Sequence, residues 1–315
     1  MKKTLSLLIL ALMAGLAFRI TPVRDLKIGK APHFGALSTD GRYLFVTNFA
    51  SDQVQVIDCQ TNQLTDDFYA GYEPLGIAVS PLDNKIFVTN YRPGLVKVID
   101  ANTYEIIDDI KVGGLPNSIA MSPKGYQVFV TNFGRGKIGR VDFIDTSTHR
   151  ILGEVEVGIR PLAVVVSAFT DRLYVACGGS NDLYILDIPD REVVKKIPVG
   201  IAPNGVALSP DGNTLYVSNS GTNDLSVVDL IELEETKRVR VGNRPFSIAV
   251  SRDGHLFVVE SGDDTVTVFD PELKKLTSLK VGDQPIDVQL SLNNRFVYVT
   301  AEKENRLFIF EILSP

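Results

Sequence analysis

Aromatic and basic side chains that follow short apolar runs are the residues of this chain best suited to chemistry. Phe49, Tyr91 and Phe133 each come directly after such a run, and Arg92 follows Tyr91. Aromatic rings stack on planar ligands, and a guanidinium group donates paired hydrogen bonds to carboxylates and phosphates. These residues therefore predict a site for an anionic or ring-bearing ligand. The candidate binding residues are His33, Phe49, Tyr91, Arg92, Phe133, Arg135, Lys137, Arg160, Arg244 and Glu260.

Serines and carboxylates recur too regularly to form one catalytic centre. A serine lies six residues after each of seven prolines, and a carboxylate ends a later run in each of the same seven segments. A residue type present in every repeat serves the repeat, so we expect the serines to bond turn backbone and the carboxylates to cap turns. No catalytic residue is predicted. The two sets are Ser38, Ser80, Ser122, Ser167, Ser209, Ser251 and Ser291, and Asp58, Asp100, Asp145, Asp187, Asp229, Asp270 and Glu311.

Histidines and cysteines are too scattered to predict a metal centre. The chain lacks the CxxCH, phosphate-binding and GxSxG motifs. No cofactor is predicted, although a haem with His33 as its single axial ligand is compatible with the sequence, because His149 and His255 fall in turns expected on the opposite face. Cys59 and Cys177 are also expected on different faces, and both are predicted to be free thiols.

The candidate residues lie in an internal repeat that predicts the fold. The pattern G-x-x-P occurs seven times at spacings of 40 to 45 residues, and Val199–Asp229 is its plainest copy. Each copy contains four short strands separated by turns and loops, which is typical of a propeller blade. We predict an all-β, seven-bladed β-propeller of four-stranded antiparallel blades in a single domain, residues 18–315. After Pro285 the chain supplies three strands, so the strand predicted at Val23–Ile28 should complete the last blade and close the ring.

The second strand of the blades carries a recurring tetrad. It is FVTN in the first three blades and YVSN in the fifth, whereas YVAC, FVVE and YVTA occupy blades four, six and seven. This repeat resembles the YVTN-type β-propellers, a family that includes surface-layer proteins, exported bacterial propellers and one member that binds DNA. Related repeats occur in haem-binding domains of nitrite-reductase type and in lactonase-type enzymes. The resemblance implies fold and export more strongly than any one chemistry.

The loops predicted to share the top face differ between the two sides of the ring. The G-x-x-P connections and the loops after the second strands should lie on this face, with aromatic and basic residues in blades one to four. Acidic residues replace them in blades six and seven. The alternative is ordinary solvated charges and rings that pack between blades; Glu260 in particular is read as an acid, a ligand or a partner of Arg244. The acidic set is Glu260, Asp263, Asp264, Asp283, Glu302 and Glu304.

The first 17 residues have the composition of a signal peptide. Lys2 and Lys3 precede an apolar run that ends in small residues, which predicts cleavage near Ala17, with an uncleaved anchor as the alternative. Without these lysines the chain has 30 basic and 38 acidic residues, a balance that disfavours nonspecific nucleic-acid binding. We expect a periplasmic, secreted or cell-surface protein with no transmembrane segment in the mature chain.

The sequence favours an exported, non-enzymatic binding or interaction platform that uses the top face. The expected partner is an extracytoplasmic protein or an anionic small ligand, and the protein is expected to be a monomer. A lactonase-like hydrolase and a haem- or cofactor-binding propeller are the alternatives. DNA binding through the basic, aromatic sector is a third possibility that the family resemblance implies.

Overall fold

Seven four-stranded antiparallel sheets account for the regular structure in this computed structural model, which describes residues 18–133 and 138–313. Within those ranges every regular element is a β-strand. The predicted seven-bladed propeller is confirmed. The signal peptide predicted at residues 1–17 and the candidate residues Arg135 and Lys137 lie outside the described residues.

The strands are numbered β1 to β28 in chain order. Blades 1 to 6 each take four consecutive strands from β2 onward, and blade 7 combines β26, β27 and β28 with β1. Their bounds are β1 Arg19–Lys27, β2 Pro32–Leu37, β3 Tyr43–Asn48, β4 Gln53–Asp58, β5 Gln63–Tyr69, β6 Pro74–Val79, β7 Lys85–Asn90, β8 Leu95–Asp100, β9 Ile106–Lys111, β10 Pro116–Met121, β11 Gln127–Asn132, β12 Gly139–Asp145, β13 Ile151–Val157, β14 Pro161–Val166, β15 Arg172–Cys177, β16 Asp182–Asp187, β17 Glu192–Pro198, β18 Pro203–Leu208, β19 Thr214–Asn219, β20 Asp224–Asp229, β21 Glu234–Arg240, β22 Pro245–Val250, β23 Leu256–Glu260, β24 Thr265–Phe269, β25 Lys275–Lys280, β26 Pro285–Leu290, β27 Phe296–Ala301 and β28 Arg306–Leu313.

The core lies between neighbouring blades and is built by the second and third strands. These strands are apolar on both faces because each face packs against another blade. Phe87 and Val98 of blade 2, for example, share one buried cluster with Ile119 and Val128 of blade 3. The first strand of each blade lies innermost and the fourth strand lies at the outer rim, where most of its side chains are exposed.

The N-terminal strand closes the ring, as predicted. Strand β1 pairs antiparallel with β28 from Arg19↔Leu313 to Lys27↔Arg306 and forms the outer strand of blade 7. It is longer than the predicted Val23–Ile28, and Arg306 adds an ion pair with Asp25 across the seam. The last blade therefore contains one N-terminal strand, β1, and three C-terminal strands, β26 to β28.

The repeated serines and aspartates have the structural roles expected of them, whereas the expectation for Glu311 was wrong: its carboxylate accepts a hydrogen bond from Arg295 Nε at 2.8 Å in an ion pair. The Ser209 hydroxyl accepts a hydrogen bond from Thr214 N at 3.0 Å across the turn between the first two strands of blade 5. The Asp229 carboxylate accepts hydrogen bonds from the backbone N–H groups of Ile231 and Glu232, at 2.7 and 3.0 Å. These contacts satisfy backbone groups that a turn leaves unpaired.

A second set of hydrogen bonds joins neighbouring blades through the hydroxyl of the tetrad. Thr89 Oγ1 accepts from Gly76 N at 2.8 Å in its own blade and donates to Asn117 O at 2.7 Å in the next blade. Both backbone groups are buried, so the hydroxyl satisfies groups that water cannot reach. We call this contact the interblade latch. The same donation joins Thr47 to Leu75 O, Ser218 to Phe246 O and Thr300 to His33 O.

Candidate functional site

Four rings form a continuous arc over blades 1 to 3 on the top face. The centroids of His33 and Phe49 are 5.8 Å apart, those of Phe49 and Tyr91 are 6.4 Å apart, and those of Tyr91 and Phe133 are 6.0 Å apart. Each of the four residues is half-buried, so part of each ring remains accessible. We call these four residues the aromatic arc. The structure thus brings together four of the ten residues predicted from the sequence.

The backbone holds the arc residues in place without using their side chains. Phe49 N donates to Ala31 O at 2.9 Å, and Tyr91 and Phe133 make the equivalent bond to the residue before the G-x-x-P proline. The same bond recurs in the other blades with different side chains. There the donors are the N–H groups of Gly178, Ser220, Ser261 and Glu302. The fold therefore requires the backbone conformation at this position but does not require a ring.

His33 is a neutral imidazole at the start of the arc. Burial lowers its pKa to about 4, because the charged form would lose its hydration. Its Nδ1 atom is buried and has no hydrogen-bond partner among the described residues. The ring is therefore an uncharged, partly accessible group at neutral pH, suited to stacking or to binding an electron-poor atom.

A cleft beside the arc brings a guanidinium group close to Phe49. The cleft has a volume of about 620 Å³ and lies between the top loops of blades 1 and 2. Arg92 lines it, with 78% of its side chain exposed and its Nε atom 3.2 Å from Glu73 Oε1. Tyr72 forms another wall and is 65% exposed. The carboxylates of Asp52 and Glu73 also line the cleft, so a planar anion would bind its rings and take the place of Glu73 on the Arg92 guanidinium.

Arg160 and Arg244 lie on the same face but in other blades. Both occupy the position before the G-x-x-P proline with a left-handed backbone (φ 53° and 49°), in blades 4 and 6, and both are exposed. Arg244 N donates to Asn223 Oδ1 at 2.8 Å. The structure does not bring these two arginines into contact with the aromatic arc.

Glu260 is a buried hydrogen-bond acceptor. Its carboxylate accepts from Gly242 N at 2.8 Å and from the hydroxyls of Thr265 and Thr267 at 2.7 Å each. Asn132 holds the G-x-x-P loop of its own blade in a similar way, because its Oδ1 accepts from Leu115 N at 2.9 Å. A pairing of Glu260 with Arg244 was one of the roles considered from the sequence. Among the described residues no ion pair joins the two side chains.

The acidic residues of blades 6 and 7 also bond to loop backbone. Asp263 accepts from Asn243 N at 2.7 Å, Asp264 from Gln284 N at 3.1 Å, and Glu304 from Asp283 N at 3.0 Å. Asn223 of blade 5 and Asn305 of blade 7 make the same kind of contact with the loop of the next blade. The predicted acidic sector is therefore present on the top face, but several of its carboxylates fix loops.

Asp287 is a buried carboxylate that the sequence-based reasoning missed. It lines an inner cavity of about 160 Å³ together with side chains from the first strands of several blades. Its oxygens accept from Ser247 Oγ of blade 6 at 2.7 Å, Gly35 N of blade 1 at 3.0 Å and Gln289 Nε2 at 2.9 Å. Burial raises its pKa. The available signal was that the other six blades carry no acid two residues after this proline.

The remaining reactive groups are dispersed. Cys59 and Cys177 are free, as predicted. Both are buried, and burial raises the pKa of the Cys177 thiol to about 12. No group of three or more His, Cys, Asp or Glu residues in residues 18–133 and 138–313 is arranged to hold a metal ion. Over the same ranges, no helix is long and apolar enough to cross a membrane.

Comparisons with known proteins agree with this architecture. Residues 10–124 match the family profile described as cytochrome D1 heme domain, and residues 165–303 match the SMP-30/gluconolactonase/LRE-like region. A chain of the Kuenenia stuttgartiensis hydrazine synthase superposes with a TM-score of 0.79 and 21% identity, over 92% of this chain and 98% of that chain. This chain is a β-propeller protein. No curated protein matches its sequence. Each family match spans less than half of the chain, and the structural likeness concerns the fold.

Proposed function

We propose that this protein is an exported, non-enzymatic binding platform whose top face takes a planar, ring-bearing anion. One observation carries the proposal: blades 1 to 3 place touching aromatic rings at a position that the other blades fill with Gly, Ser, Ser and Glu on the same backbone. Since the scaffold does not need the rings, their presence in three consecutive blades favours a binding role. The repeats support assignment to the YVTN type, and the apolar start supports export.

The arc and the cleft have complementary roles in this proposal. Stacking of a planar ligand on an aromatic side chain contributes about 1–3 kcal/mol for each base-like ring. Arg92 supplies a charge within the same cleft as Phe49. Its ion pair with Glu73 is exposed and therefore weak, so a ligand carboxylate or phosphate can replace Glu73 as its partner. A volume of about 620 Å³ lies in the range of small-molecule sites.

Flavin mononucleotide is a suitable probe, because it joins a planar ring system to a phosphate and its fluorescence is quenched on stacking. We expect saturable quenching by the wild-type protein and at least tenfold weaker binding after Phe49→Ala or Tyr91→Ala. Arg92→Glu should weaken binding of the phosphorylated probe more than binding of riboflavin, which lacks the phosphate.

Tyr126→Ala is the matched control. Tyr126 is 61% exposed and lies in a turn on the opposite face, so its removal should leave flavin binding unchanged. Equal affinity of wild type and the two arc variants for the probe would contradict the proposal.

A haem is the second candidate ligand, and His33 is the observation that favours it. Its imidazole is neutral, has a buried Nδ1 atom without a partner among the described residues, and adjoins the other rings of the arc. These features fit a single axial ligand beside a stacking surface. His33 also lies within the span that matches the cytochrome D1 heme domain. A bound haem would supply redox and gas-binding chemistry; the chain would supply the imidazole and the apolar wall.

Titration with haemin separates the two candidates. A haem site predicts a shifted Soret band with wild-type protein that His33→Ala abolishes and His255→Ala preserves, since His255 lies in a turn on the opposite face. An unchanged free-haemin spectrum, together with retained flavin binding, would remove the haem candidate and leave the platform.

A further inference from the structure

The outer strands carry opposite charges on opposite sides of the ring. The fourth strand of each of these blades has a buried apolar residue near its end, and two charged residues precede it. They are Asp66–Asp67 in blade 1 and Asp108–Asp109 in blade 2. The equivalent residues are Lys195–Lys196 in blade 4 and Lys237–Arg238 in blade 5. All eight side chains are exposed. We call β5 and β9 the acidic rim, and β17 and β21 the basic rim.

In one strand of each rim, two apolar residues precede the charges. In β9, Ile106 and Ile107 precede the two aspartates and are 39% and 48% exposed. In β17, Val193 and Val194 precede the two lysines and are 43% and 42% exposed. Because equivalent strands of all blades run in the same direction, the two strands present the same apolar-then-charged sequence with the sign of charge reversed.

We propose that the acidic rim of one copy of this protein docks on the basic rim of a second copy, side by side, with both top faces on the same side. In this arrangement β9 and β17 run parallel, so the isoleucines meet the valines and the aspartates meet the lysines. The complementary surface is present on the chain itself, which favours a second copy over an unrelated partner. The contact is heterologous. The copy that uses its acidic rim keeps a free basic rim, and its partner keeps a free acidic rim, so a further copy can bind at either end.

Contacts within a blade and between neighbouring blades reduce these charges but do not bury them. Asp108 contacts His149 of blade 3 at 2.9 Å and Arg238 pairs with Glu235 at 2.8 Å, yet their side chains are 48% and 42% exposed. Asp109 pairs with Lys97 at 2.6 Å and Lys196 pairs with Asp182 at 3.0 Å, yet Asp109 is 42% exposed and Lys196 is 51% exposed. A single exposed ion pair contributes little to association, so several must act together with the apolar contact. The association is therefore weak and sensitive to salt.

The docking surface consists of side chains and does not extend the sheet. Each rim strand pairs with its inner neighbour through a register shift, at Val56/Ile57, Val98/Ile99, Ile185/Leu186 and Val227/Val228. Such bulges twist an edge strand away from regular pairing with another strand. This proposal differs from the monomer expected from the sequence and is independent of the ligand proposed for the top face.

Sedimentation velocity of the purified protein tests the proposal. We expect species heavier than the 34.5 kDa chain at about 20 mM salt and an apparent dissociation constant at least tenfold larger at about 500 mM salt, where the Debye length is a few ångströms. A wild-type protein that stays monomeric at low salt and high concentration would overturn the proposal. Gain of mass only on addition of heparin would do so as well, because it would assign the basic rim to an acidic partner.

Charge-reversed variants provide the specific test. One variant carries Asp66→Lys, Asp67→Lys, Asp108→Lys and Asp109→Lys, and the other carries Lys195→Glu, Lys196→Glu, Lys237→Glu and Arg238→Glu. Each variant alone should be monomeric, and an equimolar mixture should associate as the wild type does. Lys124→Glu with Arg252→Glu, which reverses two charges in exposed turns of the opposite face, is the control for charge reversal away from the rims and should associate normally. Association of either rim variant alone at wild-type strength contradicts the proposal. Circular dichroism checks that each variant is folded. If a variant does not fold, the dependence of wild-type association on salt concentration still tests the proposal.

Discussion

The interblade latch and the aromatic arc are neighbours at the end of the second strands, yet their side chains differ in burial and in the groups they contact. Thr89 is fully buried and bonds to backbone groups of two blades. Tyr91, two residues later, is half-buried, and its ring contacts the rings of Phe49 and Phe133. The comparison shows that a repeated residue with buried partners maintains the ring, whereas a residue held by backbone alone is free to vary for binding.

Asp287→Ala should produce the largest loss of stability, because it removes an acceptor shared by blades 6, 7 and 1. The substitution leaves Gly35 N and the Ser247 hydroxyl without their partner. A loss of about 3 kcal/mol in the free energy of unfolding is expected, since buried groups left unpaired cost about 1–3 kcal/mol each. Urea unfolding followed by circular dichroism measures it. A midpoint equal to wild type would show that Asp287 does not secure the seam.

Thr89→Val should lower the free energy of unfolding by about 2 kcal/mol, because two buried backbone groups lose their hydrogen-bond partner, the Thr89 hydroxyl. Valine keeps the shape of the side chain. Thr39→Val, at an exposed turn, serves as the control and should be near neutral. The same urea assay applies. If both substitutions change the free energy of unfolding by the same small amount, the Thr89 hydroxyl stabilises the ring no more than an exposed hydroxyl does.

Phe49→Ala and Tyr91→Ala should each lower the free energy of unfolding by about 1–2 kcal/mol, because each half-buried ring loses two aromatic contacts worth about 0.5–1.5 kcal/mol apiece. Their main effect should instead be on flavin binding. If either variant loses more stability than Thr89→Val, the rings are part of the scaffold and the comparison with the latch fails.

Asp145→Asn should have the smallest effect, visible only in acid. Hydrogen bonds from the Ser147 hydroxyl and Thr148 N lower the pKa of Asp145 to about 2. This carboxylate therefore contributes stability that is present above its unfolded pKa of about 4 and is lost as the pH falls toward 2. Asparagine keeps an acceptor but does not titrate, so thermal midpoints between pH 4 and 2 should fall less steeply. An identical slope would contradict this role.

The sequence predicted most of the scaffold because its signals are local and repeated. The turn serines and capping carboxylates bond to backbone within five residues, as Ser209 and Asp229 do, so their roles follow from spacing alone. The closing strand was predictable because a blade lacking one strand leaves an open edge. The arc residues were also found, since the repeat placed Phe49, Tyr91 and Phe133 at one equivalent position.

The sequence by itself determined the blade, the number of blades, the closure and the face on which the rings lie. Only the tertiary structure decided which polar residues are partners of the scaffold. Glu260 and Asp263 accept hydrogen bonds from a loop about 20 residues earlier, and Asp287 accepts one from Gly35, 252 residues away. Such partners are set by how blades pack around a closed ring. Spacing along the chain does not specify them, because the same acidic side chain is a free charge or a buried acceptor according to the backbone that faces it.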